Sequence, residues 1–338
     1  MSFLPEDRRF KILLAIGACL VAAIIFVLMV GFKIDDNAQT LKIGFVISGD
    51  IQESTLSAAH YEGMKAACDG FGIELLVRDK VAANSGQCPI AVAELINEDA
   101  GMIFLAGNSY PSEIREIAEN NPNVAFATNS TAAYAKNMTA YFVRMYQAQY
   151  LTGALAAMKT KSNVIGCIAP RPVPKVYCGI SAFALGAQRI NPNVRVVVSN
   201  NNSEALIKAG ADVLLEKNGE LREAQSDQTL ASVDCHWDLF YRDVIRRYLK
   251  GELNVMRNHW IGVQEGVVEF SDISSSVTPE MQARIQQLQQ EMLDGKIIFS
   301  GEIVDNKGNV HCAAGEAISD NVLLEKFDWL VRGVEVLD

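Results

Sequence analysis

From Lys42 onward the chain alternates short apolar runs with amphipathic runs of helix length. No other feature narrows the possible folds as far. "KIGFVIS" (42–48) is followed by "TLSAAHYEGMKAACDGFG", in which Leu56, Ala59, Gly63, Ala66 and Ala67 fall near one helical stripe. "IELLVRD", "GMIFLAG" and "VAFATN" supply further strands, with the helical "PIAVAELINEDA" and "PSEIREIAENNP" between them. Strands apolar along their length and separated by helices build a parallel sheet covered on both faces. The pattern then restarts, with "AQYLTGALAAMKT" and "GISAFALGAQRINP" as helices and "NVIGCIA" and "VRVVVSN" as strands. The expectation is two doubly wound α/β lobes.

A different run precedes them. Ile12 to Phe32, "ILLAIGACLVAAIIFVLMVGF", is about 21 residues long and carries no charge. At roughly 1.5 Å per residue, a helix of that length spans the hydrocarbon core of a bilayer. Arg8, Arg9 and Lys11 precede it, and Asp35 and Asp36 follow. By the positive-inside rule, residues 1–11 are cytoplasmic, 12–32 form a transmembrane helix of the inner membrane, and 33–40 link it to an extracytoplasmic domain. A cleaved signal peptide would have a shorter apolar core. Lipidation at Cys19, within "IGAC", should be followed by a polar tether, but more apolar residues follow instead. An uncleaved signal anchor is therefore expected.

The net charge of −10 and the pI near 5.0 argue against a nucleic-acid partner, whose phosphates need a basic surface. There is no P-loop, no GxSxG, no HExxH and no paired CxxC, so neither an enzyme nor a cofactor is expected. Cys68, Cys88, Cys167, Cys178, Cys235 and Cys312 lie beyond the apolar run. Disulfides are permitted there, but isolated buried thiols are the preferred reading. Cys235-His236 and His311-Cys312 could in principle supply four zinc ligands. Adjacent side chains on a strand point to opposite faces, so no metal site is expected.

One connection is unusually short. "ADVLLE" reads as a buried parallel strand and "LASVD" as another, with only "KNGELREAQSDQT" between them. That is close to the least a crossover helix needs. Upstream, "NNNSEALIKAG" leaves room for a helix of about two turns.

The stretch "YQAQYLTGALAAMKTKSNVIGCIAPRPVPKVYCGISAFALGAQRINPNVRV" resembles the central signature of the basic membrane protein family, the substrate-binding proteins of ABC importers, many of them for purines or nucleosides. "IGVQEGVVEF", "LDGKIIFSGEIVDNKGNV" and "FDWLVRGVE" are similar to that family's closing segments. The resemblance implies a type I periplasmic-binding-protein-like fold, with lobe 1 at 41–147, a shortened lobe 2 at 148–235, and a return segment at 236–338. It also implies a purine nucleoside-like ligand and an inner-membrane transporter as partner.

In such a fold the ligand sits beyond the carboxyl ends of the strands. The resemblance places Asn108, Ser109 and Tyr110 in a loop bordering the cleft; Tyr110 either stacks on a base or packs at a helix start. Arg144 and Tyr146 match an RxY position near the lobe crossing, as hinge or ligand contact. Asp50 is either a ligand acceptor or a turn residue, and Asp227 is a remnant of a ligand-facing loop. Two departures weaken the implied ligand. Leu56 stands where purine-binding members carry an aromatic, and the segment from Lys217 to Thr229 replaces a longer element of the second lobe. A ligand-free structural subunit of an envelope complex thus stays open beside the binding protein.

Overall fold

The computed structural model describes residues 41–337, apart from 108–109, 131–132, 170–172, 217–218, 227, 254–257 and 272. The apolar run from Ile12 to Phe32 lies outside the described residues. Among those described, no helix is long and apolar enough to cross a membrane.

In chain order the elements are β1 (Lys42–Ile47), α1 (Thr55–Phe71), β2 (Glu74–Arg78), α2 (Gln87–Asn97), β3 (Ala100–Ala106), α3 (Tyr110–Glu113), α4 (Arg115–Asn120), β4 (Ala125–Asn129) and β5 (Met138–Val143). Then come α5 (Met145–Lys159), β6 (Val164–Ile168), α6 (Pro174–Ile190), β7 (Arg195–Ser199), α7 (Ser203–Lys208), β8 (Val213–Leu215), β9 (Leu221–Glu223) and β10 (Thr229–Cys235). The return comprises α8 (Trp237–Leu249), β11 (Asn258–Ile261), β12 (Val268–Ser271), α9 (Pro279–Leu293), β13 (Ile303–Val304), β14 (Val310–Cys312), a π turn at Val322–Lys326 and β15 (Val334–Val336).

Lobe 1 is a six-stranded sheet in the order β11-β5-β4-β3-β1-β2, parallel throughout. Its strands are apolar because both faces are covered. Ile103, Leu105 and Phe126 pack under α2 to α4 on one side, while Phe45, Phe104 and Tyr141 meet Tyr241 of α8 on the other. Helix α1 begins at Ser54, whose side chain accepts from the Ser57 amide, and stops at Gly72 in the left-handed region. Leu56, placed on its apolar stripe by periodicity, is 65% exposed. Ala59 and Ala66 of that stripe are exposed too, because the face turned to the protein runs instead through Ser57, His60, Met64, Ala67 and Cys68.

Lobe 2 has seven strands in the order β12-β10-β9-β8-β6-β7-β15. β6, β7, β8 and β15 are parallel, as alternation predicts. The short connection is resolved without a helix. β9 turns back antiparallel to β8 and then pairs antiparallel with β10. A hairpin needs only a few residues where a parallel crossover needs a dozen or more. The expected parallel neighbour at "LASVD" is therefore replaced by antiparallel pairing on both sides, since β12 also runs antiparallel to β10. Helix α7 has only six residues.

Helices α5 and α6 approach so closely that their backbones touch. A Cβ built on Gly153 would lie 1.9 Å from the Phe183 carbonyl oxygen, and one on Gly186 the same distance from that of Tyr150. Gly153→Ala should therefore destabilise the protein by about 1–3 kcal/mol in urea unfolding, as overpacking does. Gly70→Ala, where nothing lies within 4 Å, should stabilise it by about 0.5–1 kcal/mol through helix propensity. Equal effects at the two positions would contradict the close helix contact.

Candidate cleft and lobe junction

The chain passes between the lobes three times. It leaves the carboxyl end of β5 for α5, that of β10 for α8, and that of β11 for β12. The carboxyl ends of both sheets therefore border the crossings, which is where an open parallel sheet offers its loops and helix starts to a ligand. Three apolar side chains remain exposed at those starts. They are Leu56 in the first turn of α1, Met145 at the first position of α5 and Val173 as the residue preceding α6. Cys235, the last residue of β10, donates its thiol to the Met145 sulfur at 3.3 Å, and burial pushes that thiol up to about 11. The starts of α5 and α6 have no side-chain cap; the Gln147 amide donates to the Arg144 carbonyl, and those of Val176 and Tyr177 to the Val173 carbonyl.

The residues singled out from sequence fall into separate groups. Asp50 closes a turn. Its Oδ1 accepts from the Gln52 amide at 2.8 Å, and its Oδ2 pairs with Lys80 at 2.8 Å. That Lys80 bond is the main reason its carboxyl is held below the usual value. Tyr110 is fully buried in the lobe 1 core and donates its hydroxyl to the Val81 carbonyl; burial pushes its ionisation well up. Asn108, Ser109 and Asp227 lie outside the described residues.

Arg144 and Tyr146 are brought together, on a residue that sequence reasoning missed. Arg144 donates Nε and Nη2 to the two carboxylate oxygens of Asp320, at 3.2 and 2.6 Å. The Tyr146 hydroxyl reaches Asp320 Oδ1 at 3.4 Å. Arg144 Nη1 donates to the Trp260 carbonyl at 2.5 Å, and the Arg144 amide to that of Ile261 at 2.7 Å. Burial works against the guanidinium charge, but Asp320 more than offsets it, so the Arg144 pKa ends above its ordinary value. Nothing local in "SDN" marks Asp320; only the fold, across a separation of 176 residues, reveals it.

Behind the crossings, α1 and α8 enclose a buried polar chain. His60 Nδ1 and the Tyr241 hydroxyl are 2.7 Å apart, and Tyr141 follows at 3.5 Å. His60 also stacks on Trp237 with centroids 3.7 Å apart. The two Cys-His pairs are apart as well. His236 meets Glu269 at 2.5 Å, and His311 meets Asp305 at 2.9 Å. Among the described residues no group of three or more His, Cys, Asp or Glu could hold a metal, and the six cysteines are free thiols. A depression of about 800 Å³, lined in part by Arg115, Tyr134, Lys136 and Tyr248, opens at the amino ends of β4 and β5, away from the crossings.

The comparisons with known proteins agree with this architecture. The chain matches the Bmp family model, described as ABC transporter substrate-binding protein PnrA-like, over residues 40–219. It belongs to that family of solute-binding proteins and is not an enzyme. Among individual proteins, it is 25% identical to a purine-binding protein of Brucella abortus over 331 residues, covering 88% of this chain and 93% of that one. It is 22% identical, over 88% of its length and 81% of the relative's, to a Haloferax volcanii protein named for glucose binding in an ABC transporter. Among solved structures, an ABC transporter solute-binding protein from Conexibacter woesei superposes with a TM-score of 0.64 at 15% identity, covering 75% of this chain and 97% of that one. That likeness shows the shared two-lobed fold.

His60 supplies a pH test of the buried chain. Burial lowers its pKa from 6.5 to about 3. Between those values the unfolded chain binds a proton that the folded one refuses, so stability falls as pH drops through that window. His60→Gln should lose less stability than the native chain between pH 7 and pH 4 in urea titrations. An equal loss would mean that His60 is protonated in place.

Proposed function

We propose that this chain is an extracytoplasmic substrate-binding protein of an ABC importer, tethered to the inner membrane through Ile12 to Phe32, and that it takes a purine nucleoside-like solute. The observation carrying the ligand class is the near full-length similarity to a purine-binding protein, extending through the closing segments as well as the family signature. The rim of exposed apolar side chains from both lobes suits a flat-faced solute. Leu56, Met145 and Val173 can bury a base between aliphatic and thioether surfaces. Asn108, Ser109 and Asp227 remain candidates for its polar edge. Arg144, Tyr146, Tyr110 and Asp50 contribute through the scaffold, since their polar atoms are engaged within the protein.

A second reading, a ligand-free structural subunit of an envelope complex, is favoured by one specific observation. The β8-β9-β10 hairpin replaces a helical crossover on the side of lobe 2 that would grip the solute. Closure of such a protein requires contacts that favour the closed state.

Calorimetry on the purified chain, stripped of carried solute, decides between them with adenosine, guanosine, inosine and glucose as titrants. A dissociation constant below about 1 μM for a purine nucleoside is expected. Leu56→Phe, which restores a π face, should tighten that binding by about 1–3 kcal/mol. No heat with any purine would favour the structural subunit, and binding of glucose alone would move the ligand class to sugars.

A further inference from the structure

The Arg144 guanidinium occupies an unusual position among the crossings. Its residue is the last before α5, so its backbone belongs to the first crossing. Its amide and Nη1 are bonded to the carbonyls of Ile261 and Trp260, at the end of β11, the edge strand of lobe 1. Its Nε and Nη2 hold Asp320 in a two-point contact, and Asp320 leads into the π turn that packs on α6 of lobe 2. One planar side chain thus joins the first crossing, the third crossing and the body of the second lobe. Only partly accessible, with 20% of its surface exposed and 27% of that of Asp320, the pair is less screened than a surface ion pair.

Around it the same crossings are stitched again. Gln147 Oε1 accepts from the Val263 amide at 2.9 Å, and Glu265 from the Gly262 amide at 2.7 Å. A guanidinium fork is rigid and directional, unlike an ammonium. Any rotation of one lobe against the other changes the separation between the Trp260 carbonyl and the Asp320 carboxylate, which this fork holds fixed.

We propose that the Arg144–Asp320 contact is the pin that sets the angle between the lobes, making Asp320 a positioning residue for opening and closure. The inference rests on the two-lobed fold and not on the identity of any solute, so it is tested without one. Spin labels attached through introduced ketone side chains at Glu74 in lobe 1 and Lys208 in lobe 2, both exposed, report the interlobe separation in the full chain. Asp320→Asn keeps the shape and removes the charge, and should broaden the distance distribution and shift it to longer separations. Arg144→Lys keeps the charge and loses the fork, and should do the same; it also carries the test alone if Asp320→Asn does not fold. Asp320→Glu should restore a narrow distribution. Distributions superimposable on that of the native chain, with or without a lowered melting temperature, would overturn the proposal.

Discussion

A carboxylate and a guanidinium meet where three chain crossings converge, and the arrangement of both lobes depends on that contact. Each lobe is internally complete, with a twisted sheet covered on both faces. What makes them one binding fold is how β5, β10 and β11 hand the chain across. Arg144 sits in the first of those crossings, is bonded to the end of β11 at the third and holds Asp320. Each of its three guanidinium nitrogens thereby donates to a protein atom. The residue governs the cleft through geometry and has little left with which to touch a solute.

Inside each lobe the packing follows the demands of small and large residues. Lobe 2 is built on the glycine contact between α5 and α6, which lets Phe183 and Tyr150 carbonyls lie against Gly153 and Gly186. Lobe 1 uses rings instead, with Phe45, Phe104, Tyr141 and Phe240 arranged around Tyr241. Edge-to-face ring pairs add to their area burial. His60, Tyr241 and Tyr141 are threaded into one polar chain, and burial keeps the imidazole neutral. The rim is different in character, since Leu56, Met145 and Val173 stay exposed there.

The strand–helix alternation was legible because strands covered on both faces must be apolar along their whole length, as "KIGFVI" and "VIGCI" are. The family was legible from long matching segments. The hairpin after β8 was not, because β9 is three residues long and reads "LRE", two of them charged. Leu56 fitted the helical period, and period alone does not say where a helix meets its sheet. Tyr110 illustrates the same limit. A tyrosine following a strand serves equally at a cleft or inside a core, and its bond to Val81 comes from a different loop. Asp320 acquires meaning only when residues distant in sequence are brought to Arg144.

The most direct measurement is mass spectrometry of small molecules released by denaturing the full chain after gentle purification. A purine base or nucleoside in near one-to-one ratio with protein is expected for a solute-binding protein of this kind. A chain that emerges with no small molecule, from cells replete with purines and without any stripping step, would contradict a binding role and leave the structural subunit.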